Sequence, residues 1–566
     1  MDLMRFTPTP YDPMEWAAKP FTERARLACQ AWATQGYAAP FGIYLVYAIK
    51  VGFYVGVFFG ICAYTPGCNS ILDPIAFQKA ILWSMMFEGL GLGCGSGPLA
   101  GRYDPPVGGV TYFARVGTTK LPLFPGVPVI GSMTRSWLDV LVYVGAQLCI
   151  LRALFAPGPA IDPALLWPII ALIAVAGVLD KTLFLIFRSE HYWVTTICFA
   201  FTPDWIVGAM CVQIALWFWA GVSKLNHHFP SVCCVMLSNS AVMRSETIRR
   251  WLYKSYPDDL RPSRFATVAA HMGVSLEFGV PLVFLFGGGT PEAITLGLVL
   301  MLCLHVFITS HVPMGVPIEW NFMVVYGVFA LFYTHPEVSP LSIVNQPVLA
   351  GILLVWLVII PLLGNLFPRA ISFLLSMRYY AGNWPYSVWL FRTDALHKID
   401  RVTKNTETVD KQLMKLFPLE QAIAVGGRAL AFRLMHLQGR ALPELLPRAV
   451  DNIDSIEAYS YSEGELVASI VLGWNFGDGH LHQEQLLAAV QAQCGFEEGE
   501  LRCVFVESQP LFQGTLGFRI HDAKTGLREE GKLEVRDLLR RQPWATRQTI
   551  SVAPDPALEP LSTASS

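Results

Sequence analysis

Charge is what this sequence has least of. Asp, Glu, Lys and Arg make up 15% of its 566 residues, against about a quarter in soluble domains. Hydrophobic residues reach 53%, and the mean hydropathy is +0.43. The net charge of −2 leaves no global basic field, which argues against nucleic acid as a partner. Twelve cysteines are present, yet no CxxC pair and no regular spacing, so neither a disulfide framework nor a cysteine metal cluster is expected. Most of them (Cys62, Cys94, Cys149, Cys198, Cys211, Cys303) lie in apolar stretches, where cysteine acts as a small hydrophobe. A cleavable signal pattern is missing too: residues 1–40 carry Pro8, Pro10, Pro13 and scattered charges. The first span is therefore expected to serve as its own insertion signal. Gly91, Gly93, Gly95 and Gly97 are not followed by Gly-Lys-Ser/Thr, which excludes a phosphate loop. No internal repeat is visible.

What is present is apolar length. Stretches of about 20 residues, enough to cross a ~30 Å hydrocarbon layer, recur between 41 and 370 and then stop. The fold class expected is an all-α polytopic membrane bundle of eight to ten spans with a C-terminal soluble α+β domain. Spans are placed at about 41–63, 74–94, 137–156, 165–187, 205–224, 266–287, 293–312, 319–334 and 348–368; 191–203 is apolar but short, a re-entrant or partial span. The wider division is 1–40 as an N-terminal amphipathic segment, 41–370 as membrane domain, 371–394 as linker, 395–550 as cytosolic α+β domain and 551–566 as disordered tail. Residues 20–34 read as an amphipathic helix on the membrane surface. The Gly- and Pro-rich connection 95–136 suits a lid at that surface, being too long for a mere connector.

Loops 64–73 and 157–164 have no Lys or Arg, whereas 225–265 carries Arg244, Arg249, Arg250, Lys254, Arg261 and Arg264. The positive-inside bias places 225–265 and both termini in the cytoplasm of a plasma (inner) membrane, provided 191–203 crosses. Beyond 395, an amphipathic helix is expected over 410–440. ELVASIVLGW, LRCVFVES and LGFRIHDAKTGLREEGKLEV read as strands, the last as a hairpin around Lys524–Gly526, and HQEQLLAAVQAQC as a helix capped by Asp478.

Ionisable residues inside a bilayer are expensive, ~2.5–3.5 kcal/mol each on insertion scales. Here they are numerous: Lys50, Glu88, Asp180, Lys181, His191, Lys224, His271, Glu277, His305, His311 and Glu319. Asp180, Lys181 and Glu319 lie near span ends, where snorkelling is the plain reading beside the functional one. His271 and Glu277 share a helix six residues apart, about 240° around its axis, and so cannot face one partner. His305 and His311 repeat that spacing; neither pair has the i, i+4 register of a two-histidine metal face, and no metal site is expected. His480, His482 and Glu484 read as a solvent-facing turn. In FWAGVSKLNHHF (218–229), Lys224 closes an aromatic apolar helix. It is either an interfacial anchor or a desolvated amine able to act as base or nucleophile.

AGVSKLN (220–226) resembles the lysine motif of the vitamin K-dependent γ-carboxylase-like membrane superfamily, whose bacterial members are the horizontally transferred transmembrane (HTTM) proteins. Three blocks over 180–330 are similar to that family's in the same order: DKTLFLIFRSEHYWV with His191, AHMGVSLEFGVPLVFLF with His271 and Glu277, and LCLHVFITSHV with His305. The resemblance implies an HTTM-like core over about 165–335. It assigns base chemistry to Lys224, an assisting role to His191, and substrate contact to His271, Glu277 and His305. The substrate implied is lipid-soluble: a reduced quinone, an isoprenoid or an acyl lipid. Asn226 stands where the family has Asp, and no counterpart of the carboxylase's lumenal domains is present, which speaks against protein carboxylation. WNFGDGHLHQEQLLAAVQ, CGFEEGELRCVFVESQP and RQPW resemble the C-terminal domain of an uncharacterised, largely actinobacterial family of transmembrane proteins. Two other classes remain open: a lipid-handling protein that holds membrane lipid and docks a protein partner through the C-terminal domain, and a proton-relaying transporter.

Overall fold

The computed structural model describes residues 5–93, 95, 101–102, 108–201, 204–240, 245–311, 318–451, 453–477 and 479–545. Cys94, Gly97, Arg244, Asp478 and the tail 551–566 lie outside the described residues, as does much of the expected lid before 108.

Helices occupy all nine expected spans. Among the described residues six helices are long and apolar enough to cross a membrane: Phe41–Ala63, Trp137–Leu154, Trp205–Val222, Arg264–Phe286, Pro291–Thr309 and Pro347–Leu366. Pro163–Leu179 and Ile318–Tyr333 are shorter apolar helices. The span expected at 165–187 is cut at Asp180, whose carboxylate caps the next helix, Lys181–Ile186, by accepting from the Thr182 amide. The 191–203 segment is helical through Ser189–Trp193 and Val194–Ala200.

The lipid-facing and core helices differ in kind. Phe41–Ala63 presents Leu45, Val46, Ile49 and Phe53 outward, as a helix solvated by acyl chains must. Pro74–Gly89 is enclosed almost all round although it carries Gln78, Lys79, Ser84 and Glu88. Each finds a partner: Gln78 accepts from the Ile161 amide at 2.8 Å, and the Ser84 and Tyr54 hydroxyls meet at 2.5 Å. Lys79 Nζ donates to the Leu154 and Ala156 carbonyls at 2.6 and 2.7 Å, placing a cation at the negative end of a helix.

Connections 64–73, 155–162, 201–204, 287–290 and 334–346 gather at one end of the bundle. The Gly158 amide donates to Pro66 O, Gln346 to Asp204 O and the Gly289 amide to Pro336 O. None of these five connections contains Lys or Arg. The N-terminal helices, the long connections and the C-terminal domain share the opposite end.

In the basic connection, the chain forms a helix, Phe229–Asn239, and a small hairpin, β1 (Tyr253–Ser255) with β2 (Asp259–Pro262). The C-terminal domain is built on a five-stranded antiparallel sheet of β3 (Tyr386–Arg392), β4 (Tyr459–Glu463), β5 (Leu501–Val506), β6 (Thr515–Asp522) and β7 (Gly526–Glu534), in spatial order β4-β3-β5-β6-β7. β3, drawn from the segment read as linker, pairs with both β4 and β5. Edge strand β7 carries Arg528, Glu529, Glu530 and Lys532, charges that keep an open edge from pairing further.

Several expectations need correction. Asp180 and Glu319 do not snorkel but are buried against Arg135 and Lys50, and His482 is buried against Ser387 rather than facing solvent. ELVASIVLGW is not a strand but the helix Gly464–Leu472, stopped by Gly473 at φ +86°. A short apolar run fits either state, and only that left-handed stop marks the helix. The helix expected over 410–440 is two, Val409–Leu416 and Leu419–Met435, parted at Pro418. Helix Phe21–Gln35 does not lie free on a membrane surface. Trp32 packs on Phe432 with ring centroids 5.5 Å apart and donates to Val235 O, and Arg24 pairs with Glu457 at 3.0 Å. The connection ahead of Trp137 is likewise clamped to the C-terminal domain, through Tyr112 to Thr403 O and Gln485 to Pro122 O.

Candidate functional site

Helix Trp205–Val222 ends in a tight turn, and the Ser223, Lys224 and Leu225 amides donate back to Trp219, Gly221 and Val222 carbonyls. Pro230 then opens Phe229–Asn239. Lys224 sits in this break, buried, with Phe229 as an aromatic neighbour, its ring centroid 5.9 Å away. Its ammonium is hydrogen-bonded to the carboxylate of Glu277, near the middle of Arg264–Phe286. Gly221 permits that approach: a Cβ there would stand 2.7 Å from the Phe278 nitrogen.

Trp217 lies in the same helix, Trp205–Val222, two turns before the break. Its indole donates to His305 Nε2 at 3.0 Å. That leaves the ring proton on Nδ1, which donates to Asn321 Oδ1 at 2.5 Å, while Asn321 Nδ2 donates to Thr309 Oγ1. His305 is thereby held neutral in one tautomer.

His191 lies in a wide helical turn, Ser189–Trp193, entered through Arg188 in the left-handed region at φ 49°, ψ 56°. A buried non-glycine residue in that region stores strain, which collects at functional sites. Arg188 Nε donates to Glu190 at 2.7 Å, Glu88 stands 4.0 Å away, and the guanidinium lies over the rings of Trp320 and Tyr379. Tyr379 donates to Glu190 at 2.9 Å, and Trp320 Nε1 donates to His191 Nδ1 at 3.1 Å. Lys50 pairs with Glu319 at 3.3 Å and donates to Gly93 O. Three consecutive residues thus bind three spans: Glu319 takes Lys50, Trp320 takes His191 and Asn321 takes His305.

Of the expected site residues, the fold brings Lys224 and Glu277 into direct contact and ties His305 to Trp217 of the helix that leads into Lys224. Among the described residues His191 and Lys224 share no hydrogen bond; they connect only through the chain Trp320, Asn321, His305 and Trp217. His271 is exposed on the outer face of the Glu277 helix, turned away as the six-residue spacing requires. Arg188, Glu190, Trp217, Trp320 and Asn321 were not anticipated. Arg188 and Glu190 were visible as charges within an apolar run; the polar roles of the tryptophans and Asn321 depend on which helices meet. Among the described residues no group of three His, Cys, Asp or Glu side chains is placed to hold a metal ion.

Residues 1–555 match a family model described as a transmembrane protein of unknown function, DUF3556, and the chain belongs to that family. No curated protein and no solved structure matches it.

Proposed function

We propose that the chain is a membrane-embedded enzyme acting on a lipid-soluble hydroxyl compound (a quinol, an isoprenoid alcohol or an acyl lipid), with Lys224 and Glu277 as its proton-transferring pair. The observation that carries this reading is their hydrogen bond at a helix break inside the bundle. Two groups that can each hold the same proton, shielded from water, make a compact acid–base couple. The motif likeness over 180–330 supports it, since AGVSKLN places a lysine of that family's type at this spot. In this reading the Lys224 ammonium passes a proton to the Glu277 carboxylate, and the amine so freed takes the hydroxyl proton. His305, fixed as a neutral donor–acceptor by Trp217 and Asn321, supports the pair from the neighbouring span, and His191 is linked to it through Trp320 and Asn321.

The same reading places the protein in the plasma (inner) membrane, with both termini and the C-terminal domain cytoplasmic. Its support is that five connections at one end lack Lys and Arg. The C-terminal domain is then available for a cytoplasmic protein partner. A proton-relaying transporter is the second reading, favoured by the continuous line of Glu319, Trp320 and Asn321 across Lys50, His191 and His305.

The test is untargeted lipid extraction from cells carrying the wild-type chain or Lys224→Arg, a cation that cannot be deprotonated in a protein. The enzyme reading expects one lipid class to accumulate and its product to vanish in the variant. Identical lipid profiles, with the variant correctly folded in the membrane, would refute it.

A further inference from the structure

Between two buried ion pairs the chain puts out an apolar finger, residues 123–130, and we propose that this finger is inserted into the lipid leaflet nearest the C-terminal domain. Its stem is a short antiparallel ladder. Thr119 bridges Thr134, the Lys120 amide donates to Met133 O at 3.0 Å, and the Arg135 amide donates to Thr118 O at 2.8 Å. Both charges of the stem are turned inward: Lys120 pairs with Asp139 at 2.5 Å and Arg135 with Asp180 at 2.7 Å, and all four side chains are fully buried. Between Lys120 and Arg135 no residue carries a charge. Residues 123–129 (LFPGVPV) are exposed without interruption, and none of their side chains is polar. Turns that face water are built from Gly, Asn, Asp and Ser, whereas a contiguous exposed apolar patch marks a membrane or protein contact.

The finger is held in shape before it meets anything. Pro122, Pro125 and Pro128 restrict its backbone, and the Gly131 amide donates to Val127 O at 2.8 Å. The Ile130 amide donates to Pro128 O at 2.9 Å, closing a three-residue turn on Val129 at φ +71°. A β-branched residue is unfavourable there and glycine would be easier, yet the side chain at this tip is a valine, 76% exposed. Position selects lipid as the occupant. The Leu123 amide donates to Val178 O at 3.1 Å, in the last turn of Pro163–Leu179. Trp167, Ala171 and Val175 form the outward stripe of that helix, which runs on to Val178. Exposed Trp137 opens the neighbouring span, Trp137–Leu154, and tryptophan at a span end marks the headgroup level. The finger thus continues the outer face of two lipid-facing helices, where an uncharged apolar segment is solvated by acyl chains. Gln485 donates to Pro122 O at 2.8 Å, so insertion also seats the C-terminal domain on the leaflet. Neither the proton-transferring pair nor the sidedness of the membrane is required.

Photocrosslinking tests the contact. p-Benzoylphenylalanine is introduced by codon suppression at Val129, where an exposed side chain leaves packing untouched. It is placed at Leu141 as a lipid-facing reference and at Thr525 as a reference in water, in the hairpin turn at the far end of β6 from the loop that binds Asn226. Each full-length variant is reconstituted in vesicles of phosphatidylethanolamine and phosphatidylglycerol, irradiated, digested with trypsin and weighed. Cleavage after Lys120 and Arg135 releases the finger whole as residues 121–135, and cleavage after Arg152 releases the Leu141 reference. The expected result is a gain of one phospholipid mass on the 121–135 peptide and on the Leu141 reference, and none at Thr525. An unmodified 121–135 peptide beside a lipid-modified Leu141 reference overturns the proposal. So does a cross-linked dimer in place of the lipid adduct, which makes the finger a contact between copies. Equal lipid adducts at Val129 and Thr525 overturn it as well, since the capture is then unselective.

Discussion

The Lys224–Glu277 contact can be measured as a coupling energy. Only 6% of the lysine side chain and 10% of the glutamate side chain are exposed. Removing one partner of a buried pair strands the other charge, at about 3–5 kcal/mol. Replacing both with apolar side chains of similar volume removes the stranded charge and is often neutral or stabilising. Lys224→Met and Glu277→Leu should therefore each cost roughly 3 kcal/mol or more, and the double variant within about 1 kcal/mol of wild type. An ordinary hydrogen bond between spans averages only ~0.6 kcal/mol in such cycles, so a coupling above ~3 kcal/mol identifies a desolvated ion pair. The assay is reversible unfolding of purified protein in mixed micelles, followed by fluorescence of its 16 tryptophans. If single-variant costs stay below ~1 kcal/mol, or simply add in the double variant, the two groups are not paired and the site reading fails with them. The double variant also separates structure from chemistry, since the enzyme reading requires it to be folded and inactive.

His436 makes the C-terminal domain acid-sensitive. Burial pushes its pKa down to about 3; Nδ1 meets Phe432 O at 2.6 Å, and Nε2 has no hydrogen-bond partner. The unfolded ring takes its proton near 6.5, so stability is fully present above that pH and is lost as pH falls toward 3, by about 2 kcal/mol at pH 5. Thermal midpoints at pH 7.5 and 5 should show this loss, and His436→Gln should flatten it; an unchanged slope would refute the assignment. Asn226 clasps the C-terminal domain by donating to Pro510 O and accepting from the Phe512 amide at 2.8 Å. Asn226→Ala should cost about 1–3 kcal/mol by stranding that amide, seen as faster limited proteolysis within 507–513; equal cleavage rates would count against the clasp. Gly464→Ala places a methyl 1.8 Å from Ser387 Oγ and 2.8 Å from His482 Nδ1. Overpacking of that kind costs about 1–3 kcal/mol, and a thermal midpoint equal to wild type would show that the strand and helix can part there.

Much of the fold was legible because the bilayer writes it into composition. Lipid contact demands unbroken apolar length, and every stretch that has it is helical. The interruptions were less legible. Asp180 ends one helix and caps another, and Arg188 turns left-handed two residues before Glu190; neither follows from hydropathy averaged over a turn. In the C-terminal domain, LRCVFVES and the hairpin at Lys524 read correctly from alternation and turn residues. ELVASIVLGW misled because burial on all sides erases periodicity. The site was half legible: Lys224 and Glu277 announce themselves as charges in apolar helices, and the angular argument separates His271 from Glu277. That Glu277 pairs with Lys224, and that Trp320 rather than Lys224 holds His191, depends on which helices become neighbours.

Hydropathy in this protein measures contact with lipid, not distance from the core. The last span, Pro347–Leu366, has the highest mean hydropathy, 2.5, and 28% of its scored window is buried, whereas Trp205–Val222, at 1.7, is 78% buried. Pro74–Gly89 is enclosed yet holds four polar side chains that can be kept there only with partners. A bundle selected solely to span a membrane has no use for such partners, since leucine packs as well at no desolvation cost. A second set of retained polar groups, Lys50, His191 and His305, is joined across spans by Glu319, Trp320 and Asn321. Substituting within that trio should therefore disturb function before stability, and substituting the outward-facing Leu45, Val46 or Ile49 of Phe41–Ala63 should do neither.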